Sequence, residues 1–365
     1  MKKLFDRSAM TYYPLKERHS KVDIVSACVS ADNEIAIPPA LEEKAECIAE
    51  QIIAARAKNA QVICAFGAHA IKNGLGRLIG EMLSRGWFTH LAANGAAVIH
   101  DWEFSFLGKS SEDVRENAAH GRFGTWEETG LYINLSIALG AYMGLGYGAS
   151  VGNMIRCNGL LIPERKQLLD AAAPPCENKG KAAAALDLYE LIESEKLPSG
   201  FLALEHPWAD YSVLSAAHKA GRPFTCHPMF GHDIIYTHRA NRGAAIGRTA
   251  ETDFLEFTGS VADLQGGVYL SVGSAVMSPM IFEKALSMAR NAGGGTGLND
   301  CDIHVVDLHE SKWDWSLGEP PMNDPAYYLR FMKTFSRMGM RPDYTQGDNR
   351  EFFIALYRAL QKKSS

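Results

Sequence analysis

The chain contains no CxxC pair, no HExxH or HxxxH motif, no excess of positive charge and no apolar run near the roughly 18 residues needed to cross a bilayer. Each absence closes a class of function. The seven cysteines, Cys28, Cys47, Cys64, Cys157, Cys176, Cys226 and Cys301, are odd in number and scattered. That is the usage of a reducing compartment, where thiols serve as small hydrophobes. Lys and Arg total 37 against 42 Asp and Glu, for a net charge of -5, which gives no general attraction to nucleic acid or to an anionic membrane. The opening MKKLFDRSAMTYY follows its two lysines with polar residues instead of an apolar core, so no secretory signal is expected and the expected location is the cytoplasm.

What is present is the composition of a large globular protein: 365 residues, 47% hydrophobic and 22% charged. Residues 38 to 60 carry Leu41, Ile48, Ile52 and Ile53 at helical spacing behind Pro38 and Pro39. QVICAFGAH then reads as a buried strand ending at Gly67, IKNGLGRLIGEMLSRG as a helix, and WFTHLAANGAAVIHDWEF as a strand, a glycine loop and a new helix. The order recurs in DYSVLSAAHKAGRPFTCHPMFGHDII, in GVYLSVGSAVMSPMIFEKALSMARNAG and in the strand CDIHVVDLHE. Repeated strand-then-helix units predict a doubly wound, mostly parallel α/β sheet of Rossmann-like type, flanked by helices. The organisation expected is one α/β domain over residues 1–365, with an N-terminal extension and helix over 1–60, an insertion or connection over 171–200 and C-terminal helices over 320–365. The aromatic stripes of those last helices are packing surfaces and candidate interface material.

In such sheets ligands bind beyond the carboxyl ends of the strands. Gly67 with His69, Asn94 with Gly95, Gly231, Gly273 with Ser274, and the Asp307 to His309 region all fall there. Their backbone N–H groups suit a pyrophosphate, which makes Gly67, His69, Asn94, Gly95, Gly231, Gly273 and Ser274 the candidate cofactor residues. The string Gly144-Leu145-Gly146-Tyr147-Gly148 follows an apparent helix instead of a strand, so close helix packing is the better reading there. Lys72 lies one turn beyond His69 and could hold a phosphate or carboxylate. His100 and Asp101 pair a titratable base with an acid at the same edge. Asp233 is the natural partner for an ammonium group, with Glu103, His227, His232 and His238 as further substrate contacts. Glu127 and Glu128 are weaker candidates of the same kind. No metal is expected, because the histidines of CHPMFGHDIIYTHR lack ligand spacing.

Three of these segments, SVLSAAHKAGRPFTCHPMFGHDIIYTH, GVYLSVGSAVMSPMIFEKALSMARNAG and FTHLAANGAAVIHDWEF, resemble deoxyhypusine synthases over about residues 60 to 310. The resemblance implies a deoxyhypusine synthase-like NAD fold and a homo-oligomer, a tetramer or dimer, with sites between subunits. The catalytic lysine is missing: Val276-Met277-Ser278-Pro279 stands there, and a thioether cannot form an imine. GAHAIKNG and GWFTHLAANGAAVIHDWE are also similar to the C-terminal domain of NAD-dependent ornithine cyclodeaminases, which implies oxidation of an amine with NAD as cofactor. The expectation is thus an NAD-binding enzyme that acts on a small amine or amino acid by hydride transfer, with Lys72, His100, Asp101 and Asp233 as its catalytic residues. A non-catalytic or regulatory nucleotide-binding protein of the same fold is the alternative.

Overall fold

Side chains alternate along each central strand between two separate cores, and this alternation sets the layering. The computed structural model describes residues 4–176, 178–293 and 298–364. In β1 (Val62–Phe66), Val62, Cys64 and Phe66 enter one core and Ile63 and Ala65 the other. In β4 (Val268–Val272), Val268, Leu270 and Val272 share the first core with Val62, while Tyr269 joins the second. A strand apolar on both faces must be covered on both, which is the condition of a parallel sheet between two helical layers.

Between β1 and β4 in the chain come β2 (His90–Ala93) and β3 (Phe224–Cys226); β5 (Asp302–Asp307) and β6 (Pro342–Gln346) follow. All pairings among the six are parallel, in the order β3-β2-β1-β4-β5-β6. The fold is therefore a doubly wound α/β sheet whose order reverses between β1 and β4. The strand β6 was not expected, since residues 320–365 read as helical. Pro342 opens it at the sheet edge, where a missing N–H leaves no ladder bond unmade.

The first core holds α1 (Pro39–Ala57), α2 (Ala68–Lys72), α3 (Gly76–Ser84) and α4 (Gly95–Leu107). The single helix expected after β1 is broken into α2 and α3 at Gly74, whose φ is +84° and where any side chain would run into the Ala27 carbonyl. A long helical excursion, α5 (Glu127–Met143), α6 (Tyr147–Cys157), α7 (Lys179–Ser194) and α8 (Val213–Ala220), then joins β2 to β3. The second core is closed by α9 (Gly243–Ala262) and α10 (Met277–Ala292). The last helix, α11 (Asn349–Ser364), packs against α1 and buries Phe352, Phe353 and Leu356. That aromatic stripe, a candidate interface in the sequence, is consumed inside the chain.

All chain turns at the carboxyl edge lie side by side, because parallel neighbours end on the same edge. The closest approach is between the turns after β1 and β4. The Gly67 N–H donates to the Val272 carbonyl at 3.2 Å, and a Cβ on Gly67 would stand 2.1 Å from the Gly273 carbonyl oxygen. Backbone cannot give way as a side chain does. Gly67→Ala is therefore expected to destabilise the protein by about 1–3 kcal/mol, read as a fall of several degrees in Tm; an unchanged melting curve would show that the two turns are not held this closely.

Candidate functional site

Helical spacing aims one face of α4 at a cavity beyond β1, β2 and β3. Ala96, Ile99, His100 and Glu103 follow at steps of three and four residues, so they share a side of the helix. Together with Arg18, Lys72, Ser111, Glu112, Phe123 and the His232–Ile234 turn, they line a cavity of about 250 Å³. A larger cavity of about 550 Å³ lies under α5, α6 and the hairpin at Gly159–Ile162. Its walls are mainly apolar, and none of the candidate cofactor, substrate or catalytic residues reaches it; the chemistry-bearing groups converge on the smaller one.

The structure brings together Lys72, His100, Glu103, His232 and Asp233, which are far apart in the chain. Asn94 caps α4 by accepting the Ala97 N–H at 3.0 Å. The absence of a side chain at Gly95 lets the Asp233 carboxylate settle over this helix start, 2.2 Å from where a Cβ would be. Asp233 Oδ2 is buried, and the buried Tyr236 hydroxyl is a polar group that acts on it. Burial pushes the Asp233 carboxyl up to about 6. Across the cavity Glu112 accepts from Asn117 Nδ2 at 2.7 Å and from the Gly124 N–H at 3.2 Å, and burial raises its carboxyl too. Lys72 makes no ion pair among the described residues. His100 is held neutral by burial, with its ring pushed down to about 4. A cation, an imidazole and two carboxyls that resist ionisation thus face one small space.

Other candidates are placed elsewhere. Asp101, expected to handle protons, points out of the cavity: adjacent residues on a helix diverge by about 100°. Its carboxylate accepts from the Ser212 hydroxyl, from the Val213 N–H at 3.0 Å and from the Leu214 N–H at 3.2 Å, and so caps α8. Glu103, expected to meet substrate, borders the cavity but has no free lone pair to offer. Arg18 grips it with two bonds of 2.7 and 2.8 Å, and the Thr129 and Ser110 hydroxyls donate at 2.9 and 2.6 Å. His227, also expected at the substrate, lies beneath the sheet. Its Nε2 meets Thr225 Oγ1, which continues to His90 and then Ser260; burial pushes its ring down to about 3. His238 accepts the Ala240 N–H at 3.1 Å and packs on Tyr12, outside the cavity. Glu127 pairs with Arg239, and Glu128 accepts the Leu15 N–H.

Of the candidate cofactor residues, Gly67, His69 and Gly273 sit at the reversal point of the sheet, with His69 and Gly273 exposed. Ser274 Oγ accepts the Ser278 N–H at 3.1 Å and so braces the start of α10. Gly231 has a φ of +83° and open space around it, the signature of a turn. The Gly144–Gly148 string meets packing demands, as expected: Gly146 lies on the Asp253 carboxylate and Gly148 on the Phe224 carbonyl. Among the described residues no three His, Cys, Asp or Glu side chains are placed to hold a metal. No helix is long and apolar enough to cross a membrane.

Arg18, Ser110 and Glu112 escaped the sequence reading. Arg18 is 85 residues from Glu103, and no local pattern marks such a pair.

No protein-family model matches this chain, and no curated protein does. Among solved structures it resembles AgrE in its ternary complex with ornithine and NAD+, at 15% identity and a TM-score of 0.45, over 91% of this chain and 34% of AgrE. It also resembles a conserved LOR/SDH protein from Methanococcus maripaludis S2, at 12% identity and a TM-score of 0.45, over 92% of this chain and 73% of that one. A third likeness is to ArgZ, an arginine dihydrolase of the cyanobacterial ornithine-ammonia cycle, at 13% identity and a TM-score of 0.41, over 90% of this chain and 34% of ArgZ. The chain thus spans about a third of the length of AgrE and ArgZ. None of the three is a deoxyhypusine synthase.

Proposed function

We propose that this chain binds NAD along the carboxyl edge of its sheet and acts on a small amine or amino acid held in the neighbouring cavity, with hydride transfer as the chemistry. The observation that carries this reading is the adjacency of two features: an exposed turn at Gly273 at the reversal point between β1 and β4, and a cavity holding Lys72, His100 and Asp233 beside it. The edge fits a dinucleotide in kind. Gly273 leaves backbone open there, His69 is exposed beside it, and Met229, Phe230, Val276 and Leu308 offer exposed apolar surface to a flat ring. A bound nicotinamide would supply a hydride acceptor. The chain's own residues would do the rest. Lys72 would take a carboxylate, Asp233 an ammonium group, and the neutral His100 a hydrogen bond from the ligand.

The resemblance to deoxyhypusine synthases does not extend to their imine chemistry, because Met277 is buried at the start of α10 and has no amine. A binder without turnover is the reading that this substitution favours next. Calorimetric titration with NAD+ is expected to show one saturable site per chain, and a panel of amines and amino acids to include one that raises Tm when NAD+ is present. Lys72→Met is expected to weaken that second ligand at least tenfold, as loss of a charge-assisted hydrogen bond requires. Absence of NAD binding in both oxidation states overturns the proposal; binding without turnover of any amine leaves the non-catalytic reading.

A further inference from the structure

A carboxylate that receives four hydrogen bonds can only accept. Glu103 is such a group, with Arg18 Nη1 and Nη2, Thr129 Oγ1 and Ser110 Oγ all directed at its two oxygens. Arg18 cannot lose its proton under any ordinary condition, so Glu103 is ionised. The Ser110 hydroxyl lies 2.6 Å from Glu103 Oε2 and must spend its single proton there. Yet the same Ser110 oxygen is 2.7 Å from His100 Nδ1. With its proton already committed, that oxygen has only lone pairs left to offer, and the shared bond requires the proton on His100 Nδ1.

We infer that Glu103 and Ser110 are positioning residues that lock His100 as the Nδ1–H tautomer, so that Nε2 faces the cavity as a bare acceptor for an N–H or O–H of the ligand. This rests on the proposed function only for the identity of that ligand. No partner for Nε2 exists among the described residues, and His100 lines the cavity beside Lys72. The charges around the ring oppose one another, and burial decides the outcome. Glu103 favours a protonated ring and Lys72, Arg18 and His69 disfavour it, while burial opposes charge most of all. The imidazole therefore meets its ligand neutral. The short strand Lys109–Glu112 holds the relay in place. Within it Ser111 adopts a φ of +68°, unusual for a non-glycine residue, between the serine that orients His100 and the glutamate on the cavity wall. Isolated imidazoles favour the opposite tautomer, so the relay has a defined effect to exert.

The test is spectroscopic and independent of turnover. In protein labelled with 15N-histidine, His100 is one of 12 histidines, and its resonances are identified by their loss in His100→Gln. The expected result at neutral pH is a pyrrole-type Nδ1 and a pyridine-type Nε2. Ser110→Ala is expected to move the population toward Nε2–H, and Ser110→Thr, which keeps the hydroxyl, to restore the original pattern. A wild-type spectrum with Nε2 protonated overturns the inference even if Ser110→Ala does not fold. So does a folded Ser110→Ala protein whose His100 tautomer is unchanged. Failure of NAD to bind would sink the proposed function and leave this result standing.

Discussion

Replacing Arg18 by methionine is expected to cost about 3–5 kcal/mol, the range for removing one partner of a buried ion pair. The guanidinium and the Glu103 carboxylate are each almost wholly inaccessible, at 1% and 2% side-chain exposure. Solvent therefore cannot replace the lost cation. Arg18 currently offsets the strong tendency of burial to raise the Glu103 carboxyl, which it holds below its ordinary range. Without it Glu103 must either carry an uncompensated charge or take up a proton. In a chain of this size the loss should appear as a Tm lower by about 4–7 °C. The double variant Arg18→Met/Glu103→Gln is expected to recover more than half of it, because the unpaired charge is gone. A single variant within about 1 kcal/mol of wild type would mean that the pair is not buried as described.

The second large effect is a pH dependence. Asp253 on α9 accepts the Gly148 and Cys226 N–H groups through Oδ2, at 3.0 and 2.7 Å, and the Tyr147 N–H also acts on the carboxyl. Burial dominates those bonds and pushes its carboxyl up to about 8. An unfolded aspartic acid releases its proton near 3.8. Between these values the folded state holds a proton that the unfolded state has lost, so this group makes stability fall as pH rises from about 4 to 8. Asp253→Asn keeps an oxygen acceptor for the two N–H groups and cannot ionise. It is expected to match wild type near pH 4 and to exceed it near pH 8 by on the order of 4 kcal/mol. The comparison should be made variant against wild type at each pH by urea unfolding. Buried histidines such as His90 and His227 have lowered values and titrate in the opposite sense, but they contribute equally to both proteins. Parallel stability curves across this range would refute the assignment.

Both effects come from groups that look ordinary in the chain. Asp253 sits among TAETDFLEF, one acid among several on a helix, and Arg18 among PLKERHS, one cation among several in an irregular segment. Their behaviour follows from neighbours 105 and 85 residues away. The Gly144–Gly148 string illustrates the same limit. Its glycines imitate a phosphate-binding turn, and the group they enclose is the carboxyl of Asp253 from the same chain.

Local pattern alone was enough for five of the six strands of the central sheet and for most helices. Apolar runs with β-branched residues, closed by glycine, marked β1, β2 and β4, since a strand buried on both faces has few other ways to be written. Those glycines also placed the carboxyl edge correctly, and parallel pairing then aligned the turns. Position along the chain could not tell His100 from Asp101, because which side of α4 each occupies depends on what packs against that helix. Nor could it tell His232 from His238, whose turn leads one to the cavity and the other behind Tyr12. Burial, hydrogen-bond partners and the sharing of a proton among Glu103, Ser110 and His100 are properties of segments brought together, and only the tertiary structure decides them.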